Sequence, residues 1–309
     1  MHKTLLAVVA TAAVALTGCS SNNPTSSSAT ESRTADKNTV VIGTANFPES
    51  EIIGQVWKAA LEKAGYKVEM KSGIGSREAY IKAIEDGSID IVPEYIGSLA
   101  QYYKAYTPMG STGDQLNDNT RQKLPEKLAT SALAPGEDAD SFKVLPETAQ
   151  KYSLKEIGDL NKLDHITLAG PPELASRPHG PSGLESTYGI PQGKISLDSI
   201  SDGGGPLTIS ALTEHKADVA NIFTTSPTVD SKGNKVETVT LADPKRLILP
   251  ENVTALYRKE ALDGMKLHVI EKINASLTTD QLTQFNEANV GSQKKEPASI
   301  ASDFVKSKY

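Results

Sequence analysis

The pattern that constrains this chain most is a β-α-β-α-β order that occurs twice, the second time about 127 residues after the first. The first copy opens with TVVIGTA (39–45), a β-branched run with the pattern of a buried strand. Phe47-Pro48-Glu49-Ser50 follows, then a helical face carrying Ile53, Val56, Trp57, Ala60 and Leu61. Pro48 and the acidic Glu49 and Glu51 suit a helix start, and Gly65 suits its stop. YKVEM (66–70) reads as a second strand, GIGS leads into a helix over about 76–85, Asp86-Gly87 turns the chain, and IDIV (89–92) is a third strand. In the second copy ITLAG (166–170) takes the place of the first strand, with Ala169-Gly170 where Ile42-Gly43 stood, and KISL (194–197) falls on KVEM (67–70). ALTEHKADVANIF (211–223) falls on AIEDGSIDIVPEY (83–95) without a gap. Such an order favours parallel sheets with right-handed crossovers, so the pattern predicts an α/β protein of two similar lobes.

Open α/β sheets bind ligands outside the carboxyl ends of their strands. Two such lobes facing each other across a hinge make one cleft, a common place for a small-molecule site. Tyr95, in VPEYIGS, and Phe223, in NIFTTS, both stand just past a third strand, which positions them to face one ligand. The alternative is that each ring caps its own core. The offset requires the chain to change sheets near residues 138–142 and again near 248–252. Residues 39–139 then form the first part of lobe I, 140–250 lobe II, and 251–309 a return to lobe I, with the helices from Glu260 onward packing there.

The N-terminus reads as a targeting signal over residues 1–18: Lys3 gives a positive start, and Leu5 to Leu16 is an apolar run too short to span a bilayer. It ends in Leu16-Thr17-Gly18-Cys19, the pattern of a bacterial lipoprotein signal in which Cys19 is lipidated; an ordinary secretory signal is the alternative. Cys19 is the one cysteine of the 309 residues, so neither an intramolecular disulfide nor a zinc–thiolate cluster is available. Residues 19–38, rich in Ser, Thr and Asn, bury too little apolar surface to offset ordering and read as a flexible tether. The expected location is therefore the extracytoplasmic face of a bacterial membrane, held there by a lipid.

Charge is mildly acidic, 32 Lys+Arg against 38 Asp+Glu with no basic block, which argues against a nucleic-acid partner. Enzymatic motifs are missing: there is no G-x-S-x-G elbow, H-E-x-x-H, Walker loop or full G-x-G-x-x-G. Gly73-Ile74-Gly75 and Gly203-Gly204-Gly205 read as tight connections rather than phosphate loops. His165, His179, His215 and His268 have no metal-ligand spacing, and each reads as a lone surface imidazole. No cofactor, metal or catalytic residue is implied.

Four stretches, VVIGTANFPESEIIGQVWKAALEKAGYKVE, DGSIDIVPEYIGS, ELASRPHGPSGLESTYGI and DVANIFTTSP, resemble the substrate-binding proteins of ABC importers for quaternary-ammonium osmoprotectants such as glycine betaine, choline and carnitine. The resemblance covers most of residues 39–260 and is weaker in the C-terminal third. It implies a bilobal type II periplasmic-binding-protein fold with two strand crossovers at the hinge, a monomer, and permease and ATPase partners. A trimethylammonium group lacks a conventional N–H donor and is recognised by aromatic faces, each worth roughly 0.5–2 kcal/mol. By resemblance Tyr95, Phe142 and Phe223 are aromatic cage positions, Ser98 a hydroxyl contact, and Arg177 the partner of a ligand carboxylate, unless Arg177 pairs with Glu173. Thr44, Asn46, Thr224 and Asn252 are the remaining positions near the implied ligand. Ala45 stands where the family often has lysine, Ser226 where it often has aspartate, and Asn252 near an expected cage tyrosine, so the cage reads as reduced. A binding lipoprotein used for sensing or adhesion, or a surface enzyme on the same fold, are the alternatives to import.

Overall fold

A computed structural model of the protein describes residues 39–105 and 110–308. The signal, Cys19 and the tether fall outside those residues. The first sheet starts with β1 (Thr39–Gly43), whose Val40, Val41 and Ile42 are fully buried. It continues through α1 (Pro48–Lys63), β2 (Lys67–Lys71), α2 (Arg77–Glu85) and β3 (Ile91–Tyr95). β1 pairs in parallel with β2 on one side and β3 on the other. Two helices, α3 (Ile96–Tyr102) and α4 (Gly113–Arg121), then lead to a short strand, β4 (Leu128–Thr130).

The second sheet repeats the plan. β5 (Phe142–Val144) and α5 (Pro146–Tyr152) precede β6 (Ile166–Gly170), α6 (Pro181–Tyr188), β7 (Ile195–Ser199), α7 (Pro206–Thr213), β8 (Val219–Asn221) and β9 (Val239–Thr240). The chain then returns to the first sheet through β10 (Val253–Arg258). Strand orders are β2-β1-β3-β10-β4 and β7-β6-β8-β5-β9. In each, the fourth strand is the antiparallel one that arrives from the other lobe: Val253 of β10 pairs with Tyr95, and Phe142 of β5 with Asn221. The crossing segments also run side by side, with Glu137 bridging Asn252 and the Asp138 N–H donating to Glu251 O at 3.0 Å. The ends of both third strands therefore lie against the hinge.

The aspartate that leads each third strand is a clip. Asp90 donates its N–H to Val41 O (2.8 Å) and accepts the Val41 N–H on Oδ2 (2.9 Å). Asp218 does the same to Thr167 of β6, at 2.9 and 2.8 Å. Strand-end backbone groups cannot stay unpaired when buried, and a short carboxylate answers two of them at once.

The C-terminal helices α8 (Gly264–Asn274), α9 (Thr279–Val290) and α10 (Pro297–Lys308) pack on α1. Ile52, Ile53 and Trp57 share one core with Ile270, Leu282, Phe285 and Phe304, and the Trp57 indole N–H donates to Asn274 Oδ1 at 2.7 Å. The second lobe's core, around Phe142, Leu168, Leu184 and Val219, has no such cover and is smaller. Among the described residues no helix is long and apolar enough to cross a membrane.

Candidate functional site

A cavity of about 140 Å³ lies between the two sheets, at the carboxyl ends of their strands. Its wall is built from three pairs of loops related by the repeat offset. They are residues 45–47 after β1 with 171–174 after β6, residues 75–77 with 201–203, and residues 95–98 with 221–223. Open α/β sheets place ligands here because strand ends and helix starts converge.

Aromatic rings make one side. Phe47 stands between Tyr95 (6.0 Å between centroids) and Phe223 (5.5 Å), tilted to both. Tyr80 also lines the cavity. The second lobe's loop closes on this group through Gly203 and Gly204, both at positive φ; a Cβ at Gly204 would stand 2.9 Å from the Ile222 Cα. The glycines are thus a tight connection that brings the chain against Phe47 and Phe223.

Carboxylates make the layer behind. The Tyr95 hydroxyl donates to Glu49 Oε1 at 2.6 Å. Glu49 Oε2 accepts from Thr225 Oγ1 and Asn286 Nδ2, each at 2.6 Å. Asp138, in the first crossing, accepts the Thr225 N–H (2.9 Å) and Thr224 Oγ1 (3.1 Å). Burial raises Glu49, and burial with the Glu49 charge beside it raises Asp138 well above the usual carboxylate range. Each of the two carboxyls therefore holds its proton more tightly than an exposed one. Burial, then the Glu49 charge, also pushes the Tyr95 phenol up, so it stays a neutral donor. Glu94, fully buried, holds Arg77 through two bonds (2.9 and 3.1 Å) and accepts from Tyr80 Oη at 2.9 Å. Glu251 accepts the Ser98 N–H (3.0 Å) and hydroxyl (2.7 Å), yet burial outweighs both and lifts it to about 7.

The basic groups are all engaged. Arg177 reaches across from the second lobe to Glu78 of α2, Nη1 to Oε1 at 2.8 Å and Nη2 to Oε2 at 3.3 Å. Its partner is thus Glu78, not Glu173, and it joins the lobes. Against a partial burial that acts to raise it, the Arg177 bond holds Glu78 down at about 2. His179 Nε2 meets Asp140 Oδ2 at 3.2 Å. Burial opposes charge on both, but each favours the other's ion, so His179 is raised and Asp140 lowered. His179 is a buried wall residue, not the surface imidazole its isolation in sequence suggests.

Of the residues singled out in sequence, Asn46, Tyr95, Ser98, Arg177 and Phe223 line the cavity. Phe142 does not: paired with Asn221, it has entered the second sheet and is fully enclosed with Leu168 and Leu241. Thr44 sits one layer back, donating to Glu51 and accepting from the Gly73 N–H. Thr224 faces the groove behind the hinge, and Asn252 is tied to Ala134 O, away from the cavity. Sequence reasoning missed Phe47, Arg77, Tyr80, Asp138, Asp140, Asn221 and Glu251. The 127-residue offset that aligns the first strands of the two copies pairs Phe47 with Leu174, both on the wall, and would have found that ring. Among the described residues no group of three His, Cys, Asp or Glu side chains is placed to hold a metal ion.

Two α/β lobes with a cross-strand hinge and an aromatic cavity between them define a solute-binding protein. Residues 38–307 match the family described as the substrate binding domain of ABC-type glycine betaine transport systems, and the chain belongs to it. It is 25% identical over 286 residues to the glycine betaine-binding protein YehZ of Escherichia coli (strain K12), covering 87% of this chain and 90% of that one. It is 26% identical over 293 residues to the carnitine transport binding protein OpuCC of Listeria monocytogenes, covering 88% and 87%. Among solved structures, a glycine betaine/carnitine/choline ABC transporter protein shares its fold with a TM-score of 0.66 at 24% identity, over 87% of this chain and 98% of that one. Lactococcal OpuAC, closed on glycine betaine, shares it with a TM-score of 0.60 at 17% identity, over 87% and 96%.

Proposed function

We propose that this protein is the capture component of an importer for a small quaternary-ammonium solute, tethered through a lipid on Cys19 and handing its ligand to a permease driven by an ATPase. The observation that carries the ligand class is the run of three rings, Tyr95–Phe47–Phe223, on one wall of the cavity. A quaternary cation is weakly hydrated for its charge and offers no N–H, so ring faces are its best partners, at roughly 0.5–2 kcal/mol each. Three rings then supply roughly 1.5–6 of the about 8 kcal/mol that a micromolar complex needs. The carboxylates behind the rings add a favourable field for a cation and a poor one for an anion. Relatives named for glycine betaine and carnitine support the same class.

Closure is a hinge motion in this reading. Both third strands end beside the two crossing segments, so a small bend there swings the rings of one lobe onto the other. Calorimetric titration with choline, glycine betaine and carnitine is the test. Heat and saturation with at least one of them are expected; a protein that binds none of these and instead takes up an uncharged solute overturns the cage.

The lipid is tested separately. Cys19→Ala is expected to leave an unprocessed precursor or release the protein to the soluble fraction, and normal processing with full membrane retention would overturn the anchor.

A further inference from the structure

One carboxyl in the layer behind the rings gathers three separate parts of the chain. Glu49, in the first turn of α1 and 2% exposed, accepts from Tyr95 Oη of β3, Thr225 Oγ1 of the second lobe and Asn286 Nδ2 of α9, each at 2.6 Å. Asn286 Nδ2 also donates to Thr225 Oγ1 at 2.9 Å. Thr225 is fixed beside the hinge: its N–H goes to Asp138, and neighbouring Thr224 pairs with Ala139. α1 and α9 share the first lobe's core. The bonds that join Thr225 to Glu49 and Asn286 therefore cross from lobe to lobe, and both are buried.

A glutamate at a helix start gains from the helix dipole while still in water, so its burial here needs another reason. Enclosing a carboxyl is costly unless donors surround it, and Glu49 has three. The repeat supplies no counterpart: 127 residues further on stands Ser176, exposed and bonded to Glu173 O of its own loop. The aspartate clips serve both sheets alike, whereas Glu49 serves only the contact between lobes. Phe47, the middle ring, is two residues before it, at the N-cap of the same helix. A shift of that first turn would carry Glu49, Phe47 and the Tyr95 ring together.

We propose that Glu49 is a positioning residue that couples the ring wall to lobe closure: it fixes Tyr95 from behind and holds the second lobe through Thr225. This rests on the capture of a quaternary cation between the lobes. Choline, glycine betaine and carnitine are each titrated, and release of whichever binds is followed by stopped flow. Thr225→Val keeps the shape and loses the hydroxyl; it is expected to speed release about tenfold, with association changed by less than about twofold. Thr225→Ser keeps the hydroxyl and is expected to release within about twofold of the unaltered protein. Tyr95→Phe alone is expected to speed release about two- to threefold and to add little on top of Thr225→Val, because both act through one carboxyl. Release unchanged in folded Thr225→Val, or equally fast in Thr225→Ser, overturns the hold on the second lobe. Fully additive effects of Tyr95→Phe and Thr225→Val overturn the coupling to the ring. If the unaltered protein binds none of the three cations, the capture reading falls, and small-angle scattering decides the joint by itself. A Thr225→Val protein more open than Thr225→Ser then supports it, and one no more open overturns it.

Discussion

In the first lobe Asp90 clips β3 to β1, and in the second Asp218 clips β8 to β6, through the same pair of bonds. A few residues further on the lobes part company. After β3 the chain turns straight into a helix, with Tyr95 as its N-cap and Glu94 buried against Arg77 beneath it. After β8 it runs on as a loop through Phe223, Thr224 and Thr225. Lobe I is backed by three extra helices and offers a fixed wall of rings and bonded carboxylates. Lobe II offers glycine turns and two basic side chains, His179 held by Asp140 and Arg177 reaching across to Glu78. The shared part is what makes the sheets; the divergent part is what makes the site.

The clips themselves are not equal, and that is the sharpest place to break the comparison. Asp90 is nearly buried and also meets Arg258 at 3.3 Å, whereas Asp218 is half-exposed. Asp90→Ala is expected to cost about 2–3 kcal/mol, because it strands a buried N–H and takes one partner from a guanidinium that keeps Glu260 and the Gly87 carbonyl. Asp218→Ala should cost about 1–2 kcal/mol, the worth of the backbone bond alone. Urea denaturation of both variants decides this. Equal losses would mean that the clip matters and Arg258 does not.

The seam between the lobes should show itself in pH. Glu251, raised from 4.5 to about 7 by burial, binds its proton more tightly folded than unfolded. Its contribution is therefore fully present below about pH 4.5 and is lost as pH rises toward about 7, a fall on the order of 3 kcal/mol. Glu251→Gln keeps an oxygen for the Ser98 bonds and should flatten stability between those limits, read from denaturation midpoints at several pH values. A wild-type profile already flat across that window would remove Glu251 from the seam.

Much of this plan is legible in sequence, for a physical reason. Strand and helix periodicities are local, so two copies of one order announce two sheets and a cleft at their strand ends. Tyr95 and Phe223 were readable because each closes an apolar run. Phe47 was hidden by its place before Pro48, where it reads as a helix entrance. Phe142 misled because aromatic type near a crossing cannot tell the cavity side of a strand from the sheet it is about to enter. His179 and Asp140 are 39 positions apart and meet only through the fold.

The ring wall gives a smaller effect, on binding. Phe47 touches both neighbours, so Phe47→Ala should weaken a quaternary cation by about 2 kcal/mol, and Tyr95→Ala or Phe223→Ala by about 1–2 kcal/mol each. Tyr95→Phe should cost less, since the phenol is turned to Glu49 and not toward the cavity. Calorimetry ranks them; a silent Phe47→Ala in a folded protein would mean that the middle ring is core alone.

The smallest effect belongs to an ion pair that joins the two tips. Arg177 and Glu78 are bidentate but partly in water, with side chains 21% and 52% exposed, so the pair is worth at most about 1 kcal/mol and weakens with salt. If it latches the closed cleft, Glu78→Gln should speed ligand release about two- to fivefold and erase the salt dependence of that rate. The same variant frees the guanidinium, which can take a ligand carboxylate in a planar fork, while Arg77 stays held by Glu94. Glycine betaine should then gain on choline relative to the unaltered protein, while Arg177→Ala loses the latch without that gain. Stopped-flow release at low and high ionic strength, with the two ligands side by side, reads both effects. Release unchanged by Glu78→Gln at every salt concentration would mean that the lobes are held by the hinge and the ligand alone, and that Arg177 reaches across the cleft without closing it.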